Sequence, residues 1–183
     1  IKDYKIKCIL VEPIKEHFED LKNNYKGFEN IFFENSLISV NHEILYLYKA
    51  DTKSLSYYGD HVKGISSFDY EHLIKHGVKK RHIVKHKVNS ITISELLFKY
   101  KFNSFDLLFI DAEGYDGKIV NDFLSNSLIR PYIIFEYIHI DHKTFKNLTL
   151  NLTKNDYIFF SINENLICIP KEKQSSFIFQ NIF

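Results

Sequence analysis

The hydrophobic pattern of the chain changes period from segment to segment. Residues 7–11 are an almost unbroken apolar run that stops at Glu12 and Pro13. A short run of this kind reads as a strand, and the proline ends further pairing. Ile14, Phe18, Leu21 and Tyr25 then recur at helical spacing, with Gly27 just past the last of them, so 14–25 predicts a helix. Ile31–Glu34 predicts a second strand. Strand, helix and strand in that order make a βαβ unit, whose crossover should be right-handed. Residues 43–48 alternate as a half-exposed strand does. After them, 51–54 predicts a turn, 55–58 a returning hairpin partner, 59–68 a loop, and 69–76 a helix ending at Gly77. Residues 79–88 alternate again and predict a strand. Thr92, three residues before Glu95, predicts a capping box for a helix reaching about Lys101.

The second half carries stronger signals. The segment 105–110 ends in Leu107-Leu-Phe-Ile110, a continuous apolar run that predicts a strand buried on both faces, as inside a parallel sheet. The switch to Asp111-Ala-Glu113-Gly114-Tyr-Asp116-Gly117 marks its carboxyl end, and a helix follows from Tyr115 to about Leu124. Residues 131–139 predict another buried strand, closing on Glu136 and His139. A helix over 141–152 leads to Tyr157–Ile162 and 166–169, an antiparallel pair turning at Asn163-Glu-Asn165. The fold class is α/β: a mainly parallel sheet with an antiparallel C-terminal pair and a β-rich insertion at about 41–90, in a single domain spanning 1–183.

Composition changes this picture little. A chain of 183 residues, 45% hydrophobic and 26% charged, suits one globular domain with a proper core. Net charge of +1 gives no electrostatic case for nucleic acid. Within that balance, 79–88 is the most basic segment; it reads as a strand with a solvated face or as a patch that steers an anionic substrate. Cys8 and Cys168 each lie in an apolar run and read as reduced core residues, which points to the cytoplasm. No stretch is apolar and long enough to span a membrane.

Candidate chemistry gathers where strands end. Glu12, Asp111 and Glu136 each close an apolar run, and open α/β sheets bind ligands beyond the carboxyl ends of their strands. The first prediction is that all three line one cleft. Asp111, Glu113 and Asp116 fall within six residues, and like charges crowded in a cleft raise one another's pKa. The plain structural alternative is that Asp111 caps the next helix and Gly114 permits a sharp bend.

Taken together, Val11-Glu12-Pro13, Leu21-Lys-Asn-Asn24, Asn35-Ser-Leu-Ile-Ser39, Ile110-Asp-Ala-Glu-Gly-Tyr-Asp116 and Ile133-Ile-Phe-Glu136 resemble the FkbM-type methyltransferases, which are class I, Rossmann-like enzymes dependent on S-adenosylmethionine (SAM). The resemblance runs from about residue 7 to about residue 170. It implies O-methyl transfer to a small-molecule or carbohydrate acceptor: a sugar, a polysaccharide precursor or a secondary metabolite. It also implies that Glu12 holds the cofactor ribose, that Asn35 and Ser36 border the adenine, and that Asp111 faces the cofactor amino acid and the acceptor. Ser66 and Ser67 fall on the substrate-side loop. Such a reaction needs a base at the acceptor hydroxyl, and the candidates are Asp111, Glu113, Glu136 and His139. A divalent metal on those same four residues, serving a transferase or hydrolase, is the rival; no metal is assigned. A non-catalytic binding module is the third reading. The glycine-rich loop of class I methyltransferases is absent from the chain, and the expectation is that a strand, that loop and a helix precede Ile1.

Overall fold

The computed structural model describes residues 6–41 and 45–174, except for the side chains of Asp60 and His61. Two compact units make it up, residues 1–102 and 103–183. In the first, β1 (Cys8–Val11), α1 (Lys15–Asn24) and β2 (Ile31–Glu34) form the expected βαβ unit, with β1 and β2 parallel and Val11 opposite Glu34. The pairing continues one residue further, where the Glu12 amide donates to the Glu34 carbonyl at 3.0 Å.

The insertion is where the sequence reading fails most. β3 (Leu37–Ile38) comes first, then β4 (Leu45–Ala50), the described part of the predicted 43–48 strand. Residues 55–58 are no hairpin partner. Residues 55–57 belong to a 3-10 helix, Thr52–Tyr57, with Tyr58 as its C-cap; the Asp51 carboxylate starts it by accepting from the Lys53 amide at 3.4 Å. A polar side chain that caps locally competes with strand pairing. The predicted loop holds α2 (Asp60–Gly64) and β5 (Ser66–Ser67). Next, α3 (Tyr70–Lys75) stops before Gly77, whose φ of +84° suits glycine. A 3-10 turn, Lys80–His82, leads into β6 (Ile83–Val88), β7 (Ser90–Ile91) and α4 (Ile93–Tyr100). β4 sits between β5 and β6, antiparallel to both, while β3 and β7 run parallel. Thr92 and Glu95 form the predicted capping box.

The first unit has two apolar clusters. Ile14, Leu37, Leu47 and Val88 form one; Ala50, Val62, Ile65, Leu73 and Val78 form the other. β4 contributes to both because its successive side chains face opposite ways.

The second unit repeats the βαβ pattern with β8 (Leu107–Ile110), α5 (Asp116–Asn126) and β9 (Tyr132–Glu136), followed by α6 (His142–Lys154), β10 (Tyr157–Ile162) and β11 (Asn165–Pro170). Strand order is β10-β11-β9-β8; β8 and β9 are parallel, and the last two strands are the expected antiparallel pair. Its core joins Ile133 and Phe135 to Val120, Phe123 and Leu124 of α5, Leu148 and Leu152 of α6, and Cys168 and Ile169 of β11, all buried. Gly117 lets the first turn of α5 come close to the start of α6: an added Cβ would lie 3.1 Å from Ile140 and 3.2 Å from Thr144.

Three expectations need correction. β8 is not buried on both faces: Leu107 and Phe109, which share one face, are 54% and 62% exposed, and only Ile110 of this strand is buried. Among the described residues β8 pairs with β9 alone, and β1 with β2 alone. The α/β class stands, but the described strands form four small sheets, two parallel, one antiparallel and one mixed, rather than one mainly parallel sheet. Cys8 is a half-buried residue, not a core one; Cys168 is buried, and both thiols are free.

Candidate functional site

In the second unit the register of β8 and β9 sets Ile110 opposite Phe135. Asp111 and Glu136 therefore leave the sheet side by side at its carboxyl edge. The loop after Asp111 folds back under a buried acid. Asp116, fully buried in the first turn of α5, accepts from the Ala112 amide through Oδ1 and from the Gly114 amide through Oδ2, each at 3.2 Å. The sequence made Asp111 the candidate cap; the loop is held by Asp116 instead. Both amides lie before α5, so Asp116 pins the loop from the first turn of the helix instead of capping it.

This anchoring gives the loop its shape. Glu113 takes a left-handed conformation, φ +49°, and Gly114 follows at +93°. A Cβ on Gly114 would lie 3.2 Å from the His139 carbonyl oxygen and 3.4 Å from its Cβ, so only glycine lets the loop pass that close. The result is convergence: Glu113, Glu136 and His139 each bring one ligand atom within 4.8 Å of the others. His139 Nε2 is 3.7 Å from Glu136 Oε2. Burial, with Asp111 and Glu136 nearby, pushes the Glu113 carboxyl above its ordinary value. Burial also raises Glu136, against the pull of His139, and raises Asp116, against the amides it accepts from. Three of the four residues named as base candidates thus meet in one place, with Asp111 next to them in the register. The group offers two carboxylates and an imidazole, a donor set that can accept a proton or hold a divalent cation.

In the first unit Glu12 lies at the carboxyl edge of β1. Its Oε1 accepts from the Ile14 amide at 2.7 Å, and burial raises its pKa. Asn35 donates to the backbone oxygens of Glu12 and Pro13, at 2.8 and 3.2 Å, and so ties the ends of β1 and β2 together. Ser36 is buried and donates to Glu34 Oε1 at 2.7 Å. A half-buried carboxylate with one oxygen committed to the backbone fits a ribose diol, which needs acceptors. The Asn35 amide and the Ser36 hydroxyl, by contrast, are engaged in building this rim. Ser66 and Ser67 form β5 opposite Lys49 and Tyr48; Ser67 is buried and accepts from the Asp69 amide at 3.2 Å.

One prominent group escaped the sequence reading. Glu34, buried at the end of β2, accepts from Lys99 Nζ at 2.6 Å, Ser36 Oγ at 2.7 Å and Tyr100 OH at 3.0 Å. Burial pushes this carboxyl up, but its three donors outweigh burial and hold it below its ordinary value. Burial and Glu34 together raise Tyr100 to about 12. The available signal was that Ile31-Phe-Phe-Glu34 is a fourth apolar run ending in an acid.

Among the described residues no helix is long and apolar enough to cross a membrane. No curated protein and no solved structure matches the chain at significance. A family model, the methyltransferase FkbM domain, matches residues 2–159. With that match over most of its length, the chain belongs to the FkbM methyltransferase family.

Proposed function

We propose that this methyltransferase uses SAM and methylates a hydroxyl of a sugar, a polysaccharide precursor or a secondary metabolite. The convergence of Glu113, Glu136 and His139 within 4.8 Å is the observation that carries the reading. When bound, SAM supplies an electrophilic methyl group. The protein must then hold the acceptor hydroxyl and remove its proton. Glu136 and His139 suit that chemistry, because the proton passes to the carboxylate or the imidazole, and burial raises the Glu136 carboxyl, which makes it a stronger base than an exposed one. Glu12 would hold the cofactor ribose through its carboxylate, Asn35 and Ser36 border the adenine, and Asp111 faces both cofactor and acceptor. Two free cysteines favour a cytoplasmic setting.

The test separates binding from turnover. Glu12→Ala should weaken SAM binding, read by calorimetry, by about 2–3 kcal/mol, the loss of two charge-assisted hydrogen bonds. Glu136→Gln should leave that affinity intact and lower methyl transfer from labelled SAM by roughly 100-fold. Full turnover in Glu136→Gln would remove it as the base. Absence of SAM binding by the intact protein would favour a non-catalytic module.

A second reading has an observation of its own. The same two carboxylates and imidazole form a donor set for Mg²⁺ or Mn²⁺. A metal there would acidify the acceptor hydroxyl directly. Activity lost on chelation and restored by Mn²⁺ would establish this reading; activity indifferent to chelator would exclude it.

A further inference from the structure

We infer that the basic strip along β6 is a docking surface for an acidic saccharide, one whose sugars carry carboxylate, phosphate or sulfate groups. This deepens the proposed function by naming the class of acceptor, and rests on it to that extent.

Lys79, Lys80, Arg81, Lys85 and Lys87 are all exposed. Among the described residues none of the five forms an ion pair; the ion pairs there use Lys22, Lys49, Lys99, His139 and Lys171. The net charge of the whole chain is only +1, so this strip concentrates positive charge far above the average. Its cations are interleaved with aromatic rings. The register puts Lys87 opposite Tyr46 and Lys85 opposite Tyr48, on one face of the sheet. Lys85 Nζ lies 4.1 Å from the centre of the Tyr46 ring, and Tyr46 is 45% exposed.

At the start of β6 the arrangement recurs. Tyr57, 76% exposed, stacks on His82 with ring centres 5.7 Å apart and planes 20° apart. His82 is itself fixed: Tyr58 OH lies 2.6 Å from its Nδ1, and Arg81 Nε donates to its Nε2 at 3.2 Å. The strip thus offers two exposed phenol rings, Tyr46 against Lys85 and Tyr57 against the His82 ring to which Arg81 donates. Lys85 lies three positions along the chain from His82, a span of about 10 Å.

That combination matches an acidic sugar chain. The C–H face of a pyranose stacks on an exposed phenol ring, while its acid groups pair with lysine and arginine. Lysines on a strand at the edge of a sheet also discourage pairing with other chains, but that duty does not call for exposed rings beside them. Single-stranded nucleic acid stacks successive bases on rings within a strongly basic domain, and a net charge of +1 falls short of that.

The experiment is calorimetric titration of the intact protein with four probes: tetragalacturonate, a heparin tetrasaccharide, neutral maltotetraose and oligo-dT. At least one acidic saccharide should bind ten-fold or more tightly than maltotetraose, and weaken as salt rises. Lys85→Gln/Lys87→Gln and, separately, Tyr46→Ala should each weaken that binding at least five-fold, with melting temperature unchanged. Equal binding of maltotetraose, tighter binding of oligo-dT, or unchanged affinity in both variants would overturn the inference. SAM affinity is measured on the same samples. Its loss beside intact saccharide binding would count against the methyltransferase reading and leave the docking surface standing.

Discussion

At the residue scale the site depends on one glycine. Gly114 has φ +93° and passes within van der Waals reach of His139. Gly114→Ala places a methyl group 3.2 Å from the His139 carbonyl in a conformation that L side chains rarely adopt. We expect a loss of about 1–2 kcal/mol in stability, measured by urea denaturation. Activity should fall further than stability accounts for, because relief of the contact moves Glu113 or His139. Unchanged stability together with unchanged activity would show that the loop absorbs the methyl. The sequence showed Gly114 as a bend among acids. It could not show the approach to His139, since that contact spans 25 positions and depends on how α5 follows β8.

At the level of elements, the end of β2 is joined to α4 through Glu34. Lys99 and Tyr100 sit on the last turn of α4, and Tyr100 also donates to the Phe33 carbonyl at 2.6 Å. Tyr100→Phe removes both of its hydrogen bonds and should cost about 1–2 kcal/mol. Lys99→Met leaves a buried carboxylate without its cation and should cost at least as much. Chemical denaturation of both variants checks the order. If Lys99→Met proved neutral, the ion pair would be no more than a surface contact. Helices were the most legible elements: Thr92 with Glu95 announced α4, and Asp141 and Asp69 stand as caps where helices were expected. Strand partners were less so. Residues 55–58 carry apolar and aromatic side chains that would suit a strand, yet Asp51 turns the chain into a 3-10 helix and leaves β6 to pair with β4. Local pattern gives a strand's character; its partner is settled by contacts far along the chain.

For the molecule as a whole, the buried acids set a pH dependence. Glu12, Glu113, Asp116 and Glu136 all have raised pKa values, with burial as the first cause. The folded state then binds more protons than the unfolded chain just above the ordinary carboxyl range, so stability falls as pH rises through that window. Glu34 has the opposite sign: its pKa is lowered, and its contribution is lost as pH falls below its ordinary value of 4.5. Melting temperature should therefore decline as pH rises above the ordinary carboxyl range, while Glu34 lowers it on the acid side of 4.5. Glu136→Gln should flatten that decline and raise the melting temperature at pH 7.5 by a few degrees, about 2 °C. A profile rising steadily to pH 8 would mean that these acids are relieved by some bound cation. Glu12 and Glu136 were legible at this scale because each closes an apolar run, and Glu113 and Asp116 because they crowd the loop just beyond one. Their grouping was legible only in part: Asp111 and Glu136 followed from two parallel strands, whereas the anchoring role of Asp116 needed the loop's path. The extent of each sheet was hidden, since apolar runs such as 107–110 look alike in the middle of a sheet and at its margin.

The two thiols offer a clock for each half of the chain. Cys168 lies buried in β11, and burial pushes its thiol to about 12. It is therefore almost wholly protonated at neutral pH and shielded from reagents. Cys8, in β1, is half-buried and its thiol is raised as well. A maleimide-type alkylating agent should modify Cys8 through small local fluctuations, and Cys168 only when the β9–β11 pairing separates. The labelling rate at Cys168 then measures the free energy of that opening, and its ratio to the rate at Cys8 tells whether the two units open separately or together. Mass spectrometry of peptides over a time course reads both rates. Equal rates at the two positions would mean that one cooperative opening governs the entire chain.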